Sequence, residues 1–382
     1  MDKAISRESL RADHTGGLRR PDWLREIAAE YSAGNVTAEA LREAQDRVVR
    51  DLIDRQEKAG LKVVSDGEVR RVNFQESFGG AVTGFDATPA RFERRPIGGP
   101  VPTTPRRVES GLNEPGPAVL NRRPVKERLS LARNLILDEY RFAAGVASVP
   151  VKVTLTGPDR ISQRFQYENS RDVYADVDAF LADVVAIERQ MIQEVVGAGC
   201  RYIQLDEPGY TAYVDPILTE QMKARGEDPM ANMERSMAAD NAVIAEFPGV
   251  TFGVHICRGG GGGRGGPGWH REGHYDDIAE RLFNGLNFDR FLLEYDSEAA
   301  GGFEPLRFAP KGATVVLGLL SNHGEVESAD YVKRRLEEAS KFIDLDQAAL
   351  CPRCGLNAVS EETLWGKLGV LTQVAEEVWG GS

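Results

Sequence analysis

The sequence has few cysteines, four in 382 residues. That is too sparse for a disulfide framework, which belongs to short, cysteine-dense secreted domains. It has no apolar run of about 18 residues, so no membrane-spanning helix is expected. The first residues, Met1 to Asp13, are polar and carry no apolar segment of the kind that marks a secretion signal. Basic residues are the minority: 47 Lys and Arg stand against 59 Asp and Glu, a net charge of −12. A general nucleic-acid surface needs clustered positive charge, so that class is excluded. The arginine pairs Arg94-Arg95, Arg106-Arg107 and Arg122-Arg123 lie in a proline-rich stretch and read as solvated loop. A cytoplasmic location with reduced thiols follows as an expectation. The partners expected are small molecules, with no nucleic acid and no membrane. A homo-oligomer is compatible with the composition.

What is present is a repeated order: a short apolar run, a polar motif, then an amphipathic helix. Leu61 to Val64 ends at Asp66-Gly67-Glu68, and Val151 to Leu155 ends at Thr156-Gly157-Pro158. Tyr202 to Leu205 ends at Asp206-Glu207-Pro208, and Val250 to Val254 ends at His255-Ile256-Cys257. Arg290 to Leu293 ends at Glu294-Tyr295-Asp296, Thr314 to Leu320 at Ser321-Asn322-His323, and Ala348 to Leu350 at Cys351-Pro352-Arg353-Cys354. Helices are expected near 37–59, 171–198, 229–246, 275–285, 326–343 and 360–378. An eighth unit fits Leu10 to His14, leading into Thr15-Gly16-Gly17. Strands alternating with helices call for a parallel sheet, and eight units for a closed (β/α)8 TIM barrel of one domain over 1–382. The rival arrangement is an open doubly wound sheet. Residues 83–125 break the order and read as an inserted hairpin or arm. The Gly-rich stretch 259–268 lacks the Lys-Ser or Lys-Thr of a phosphate loop and reads as a loop beside the site.

The polar motifs fall at the strand ends, where barrels place their chemistry. His255, Cys257, Glu294 and Cys354 offer nitrogen, sulfur and oxygen donors. That set suits zinc, which accepts all three and prefers four ligands. Residues i and i+2 of a strand point to one side, so His255 and Cys257 can reach one ion. Each part alone has a blander reading. His255 can be a satisfied histidine beside a buried thiol, and Cys351-x-x-Cys354 can be half of a structural zinc site or a redox pair. Cys200, after a helical pattern and before an apolar run, reads as a buried bystander.

These motifs, in this order through nearly the whole chain, resemble the catalytic domain of cobalamin-independent methionine synthase and its single-barrel relatives. The pieces are Asp66-Gly67-Glu68, Thr156-Gly157-Pro158, Asp206-Glu207-Pro208, His255-x-Cys257, Glu294, His323 and Cys354-Gly355-Leu356. The resemblance implies Zn2+ held by His255, Cys257, Glu294 and Cys354, with Cys351 near the site but not a ligand. It implies that Glu68 and Asp206 bind the ammonium of an amino-acid thiol, a group that needs paired acceptors. It implies that His323 gives a proton to the leaving nitrogen of a methyltetrahydrofolate-type donor. Two departures stand out. Thr15-Gly16-Gly17 replaces a Gly-Ser motif, which leaves Gly17 where a serine would help hold the amino acid. Arg164 falls where a tryptophan stacks on the pterin, which points to poor turnover of a polyglutamated methyl-folate. The same single-barrel group resembles epoxyalkane:coenzyme M transferase, in which a zinc thiolate opens an epoxide. Arg19, Arg20, Arg70 and Arg71 would then hold a sulfonate. From other classes, a non-catalytic barrel with structural zinc and a metal-free, decarboxylase-like barrel stand as alternatives.

Overall fold

The structure of the chain, a computed structural model, describes residues 5, 10–71, 73–86, 123–259, 271 and 273–380. Residues 260–268 of the Gly-rich stretch and most of the arm, with Arg94, Arg95, Arg106, Arg107 and Arg122, lie outside these residues. Two strands, β1 (Val82–Phe85) and β2 (Val125–Leu131), pair antiparallel at the two ends of the arm. Six more form one parallel sheet in chain order: β3 (Val153–Thr156), β4 (Tyr202–Asp206), β5 (Thr251–Ile256), β6 (Arg290–Glu294), β7 (Thr314–Leu320) and β8 (Ala348–Pro352). Their residues are almost all buried, which is why the apolar runs are continuous rather than alternating.

The first two expected strands are reduced to single bridges. Val64 pairs with Val151 beside β3, and Ala12 pairs with Leu350 of β8. The chain leaves Val64 at once for a turn built from Ser65 to Glu68. There the Ser65 hydroxyl accepts the N–H of Gly67 and the Asp66 carboxylate accepts that of Glu68. Gly67 and Glu68 are both left-handed, with φ of 71° and 56°. No sheet ladder continues through such a turn.

The helices begin where side chains can cap them. Thr37 caps Ala38–Lys58, Asp228 caps Pro229–Ile244 and Ser360 caps Glu361–Trp379. The helix expected from 171 starts instead at Val177, capped by Asp176. Tyr174 explains the delay: its ring packs edge-on against Phe165 and Phe180, and its hydroxyl accepts the N–H of Leu129. Val184, Met191 and Ile192 on this helix are fully buried in the core. Each such side chain contributes about 1.5–3 kcal/mol. Between β6 and β7 the described residues hold only short 3-10 turns, Glu298–Ala300 and Glu304–Phe308. Helices Asp22–Ser32, Leu135–Ala144, Pro158–Arg164 and Pro216–Ala224 add to the expected set.

The other face of the sheet is unusually polar. Alternate residues from just before β3 and along β3 and β4 bring Lys152, Thr154, Gln204 and Asp206 to it. Asp13, from the segment bridged to β8, accepts from Lys152 Nζ at 2.6 Å and from the Tyr202 hydroxyl at 2.7 Å. Burial opposes the Asp13 charge, but Lys152 and Arg290 outweigh it and hold the carboxyl well below its usual range. Lys152 also donates to Gln204 Oε1 at 3.0 Å. Ion pairs at zero exposure persist only with such added hydrogen bonds.

Candidate active site

His255 is the next-to-last residue of β5, Cys257 follows the strand, and Cys354 follows β8. Their ligand-capable atoms all lie within 4.8 Å of one another. Sγ of Cys257 is 3.9 Å from Sγ of Cys354. Two sulfurs on a tetrahedral zinc, at about 2.3 Å each, stand about 3.8 Å apart. One imidazole and two thiols at this spacing therefore fit zinc. The hydrogen bond from Cys354 holds Cys257 well below the usual thiol range, helped by the His255 imidazolium and opposed by burial. The same bond, with burial, pushes Cys354 up. Burial disfavours the His255 imidazolium, but the Cys257 thiolate and Asp206 reverse the balance and raise it. A metal binding here would release these protons.

Glu294 stands outside that three-residue group. Its Oε2 accepts the backbone N–H of Arg258 at 2.8 Å, and its Oε1 lies 3.4 Å from Nη1 of Arg353. Oε1 is buried and accepts no hydrogen bond among the described residues. Burial raises the carboxyl to about 7, with Arg353 opposing and the Cys257 charge reinforcing. A buried carboxylate oxygen with no hydrogen-bond partner among the described residues could serve a bound metal as an oxygen donor. Cys351 is packed among Leu292, Val316 and Ala349, apart from the group. Cys200 is also buried, its thiol 3.3 Å from the Tyr202 carbonyl.

Asp206 lies beside His255, whose Nδ1 is 3.1 Å from Oδ1. The same oxygen accepts from Gln204 Nε2 at 2.7 Å, so a chain of side chains from Lys152 through Gln204 reaches the histidine. Carboxylates on ligating histidines fix the ring's tautomer and direction in this way. Glu68 accepts from the Thr154 hydroxyl at 2.8 Å. Burial raises Glu68, Arg71 opposes the rise, and the negative charge of Asp206 adds to it. The two carboxylates therefore face one region. His323 is exposed on the loop after β7, its Nδ1 3.3 Å from Asn322 Oδ1. The structure does not bring it to the thiols.

Sequence reading missed several contributors. Glu207 caps Pro158–Arg164 by accepting the N–H groups of Asp159 and Arg160 at 2.8 and 2.9 Å. Gly157 must be glycine there, since a Cβ would fall 2.1 Å from the Glu207 carboxylate. Gln204 and Lys152 were hidden inside apolar runs; a polar residue at an inward strand position was their only signal. Arg71 is buried and bonded to Glu139 and Thr154. Arg70 pairs with Asp46, and Arg19 with Asp22. Arg20 is buried, its Nη2 on the Glu68 carbonyl at 3.2 Å. Arg164 ends its helix half-buried, and its carbonyl accepts from Arg123 N–H.

The family profile described as cobalamin-independent synthase, catalytic domain, matches residues 21–93. The uncharacterized protein YxjG of Bacillus subtilis is 33% identical over 391 residues, covering 99% of this chain and 97% of that one. A methionine synthase of Saccharolobus solfataricus is 26% identical over 363 residues, covering 92% and 90%. The chain belongs to the cobalamin-independent methionine synthase family. The fold agrees. A B12-independent methionine synthase from Shewanella sp. W3-18-1, solved in complex with selenomethionine, superposes with a TM-score of 0.72 at 22% identity, covering 97% of each chain. Among the described residues no helix is long and apolar enough to cross a membrane.

Proposed function

We propose that this chain is a zinc-dependent thiol alkyltransferase. On this reading it moves a methyl group from a methyltetrahydrofolate-type donor to the sulfur of homocysteine or a similar thiol. It does so on one (β/α)8 barrel spanning residues 1–382. Closure of the barrel is supported by the bridges at both sheet edges. It is supported too by Asp13, whose backbone N–H bonds to β8 while its side chain bonds to Lys152, just before β3, and to Tyr202 of β4.

The observation that carries the reading is the 3.9 Å approach of Cys257 to Cys354 beside His255. His255, Cys257 and Cys354 would hold the zinc, with Glu294 as the oxygen donor. Bound there, zinc lowers the pKa of a substrate thiol and keeps its sulfur nucleophilic. Glu68 and Asp206 bind the ammonium of the thiol substrate. Gly17 lies beside the amino acid, and Asp206 also holds the His255 ring. The S–CH3 bond forms as the N–CH3 bond breaks, and the leaving nitrogen takes up a proton. His323 would supply that proton from the rim loop.

The epoxide version needs free arginines for a sulfonate; Arg71, Arg70 and Arg19 are held by carboxylates, and Arg20 is buried on the Glu68 carbonyl. A purely structural zinc does not account for a left-handed Glu68 or for two buried carboxylates facing one region. The test is a panel of thiols offered with methyl-folate and epoxide donors, with product masses measured. Homocysteine should gain one methyl group. Given Arg164, a polyglutamated methyl-folate should turn over poorly or not at all compared with a smaller donor. A panel in which no thiol gains mass would overturn the reading.

A further inference from the structure

The loops that carry Glu68 and Cys354 are stitched together through Gly16 and Gly17. Leu356 N–H donates to the Gly17 carbonyl at 2.8 Å, and Leu18 N–H donates to the Gly67 carbonyl at 3.1 Å. Leu18 and Leu356 also form a parallel bridge. Both glycines are points of close approach. A Cβ on Gly16 would fall 2.7 Å from Oε1 of Glu68. A Cβ on Gly17 would fall 2.6 Å from Oδ1 and 2.9 Å from Nδ2 of Asn357. A Cβ on Gly355 would fall 3.0 Å from the same Oδ1. The Asn357 amide therefore lies over two bare backbones, along the path that joins Glu68 to Cys354. The residue itself is exposed.

An amino-acid thiol carries a carboxylate as well as an ammonium. The ammonium is met by Glu68 and Asp206. Those groups repel the carboxylate, which needs N–H donors beyond them. Arg20 is the buried cation of this turn, but its guanidinium already donates to the Glu68 carbonyl. The Asn357 amide is a neutral donor free of that competition. We infer that Asn357 is the specificity residue that reads the carboxylate of an α-amino-acid thiol, and that Gly17 is bare so that its amide can lie there. The inference rests on the thiol-alkyltransferase reading.

The experiment is calorimetric titration with homocysteine and with its decarboxylated counterpart, aminopropanethiol. It uses the wild type, Asn357→Ala, Gly17→Ala and the double variant. Asn357→Ala should weaken homocysteine about tenfold, as loss of a hydrogen bond to a charged group does, and leave aminopropanethiol unchanged. Gly17→Ala pushes aside only the flexible end of Asn357. It should therefore keep the wild-type melting temperature and show the same selective loss. In the Asn357→Ala background it should add nothing. Unchanged homocysteine affinity, or equal weakening of both thiols, overturns the role of Asn357 and leaves thiol alkylation standing. A wild type that binds neither thiol overturns both.

Discussion

The carboxylate of Glu294 stands 3.4 Å from the guanidinium of Arg353, and both side chains are buried. Arg353 directly precedes Cys354, so the cation that holds Glu294 is tied to the loop that carries a thiol. Arg353 opposes the rise that burial imposes on the Glu294 carboxyl, and Glu294 stays outside the three-residue group. Glu294→Gln retains an acceptor for the Arg258 N–H, so the fold should hold. Zinc affinity, measured by competition with a chelator, should fall about tenfold or more. Unaltered affinity would remove Glu294 from the ligand set.

Two thiols are expected to matter for metal and one is not. The wild type should carry zinc in a one-to-one ratio, and Cys257→Ala and Cys354→Ala should lose it. Cys351 is packed among aliphatic side chains, and burial raises its thiol. Cys351→Ala should therefore keep its metal. Elemental analysis of the four proteins decides this, and retention in both ligand variants contradicts the assignment.

The strand ends were legible because each apolar run stops at a polar motif, and those motifs are the site. His255, Cys257 and Cys354 converge for that reason. The first two strands were less legible. Leu61 to Val64 reads as a strand by composition, yet the left-handed turn after Ser65 ends its pairing. The start of the helix at Val177 was misread because Tyr174 has the right spacing for a helix but packs as a loop residue. Gln204 and Lys152 were invisible because single-sequence patterning treats polar residues in apolar runs as noise. The Asn357 amide depends on a close approach to Gly17, a contact between residues far apart in sequence.

Glu68 gives a separable test of substrate binding. It accepts from Thr154 and feels Asp206, but it is not among the metal-capable residues. Glu68→Gln should weaken an amino-acid thiol by about 1.5–3 kcal/mol, the worth of a hydrogen bond to a charged group. Zinc content should stay unchanged. Equal thiol affinity in a titration would favour a thiol without an amino group.

A pH effect on stability is expected from the buried acids behind the sheet. Burial raises Asp240 to about 8, opposed by the hydrogen bonds that Tyr210 and Glu207 make to it. Glu207 is raised as well, by burial and by Asp240. These groups keep protons in the fold at pH values where the unfolded chain has released them. The unfolded chain then binds fewer protons, so their contribution to stability falls as pH rises from the ordinary carboxylate range to about 8. Asp240→Asn keeps an acceptor for Tyr210 and cannot ionise. Its melting temperature should vary less over that window than that of the wild type, and an identical slope would contradict the assignment.

The central claim is that the ion held by His255, Cys257 and Cys354 takes up the substrate sulfur. X-ray absorption at the zinc edge tests it most directly, recorded on the zinc-loaded protein before and after homocysteine is added. Two sulfur neighbours should be seen at first, with nitrogen and oxygen completing the shell, and three once the thiol is present. A sulfur count that stays at two with saturating homocysteine would contradict the account.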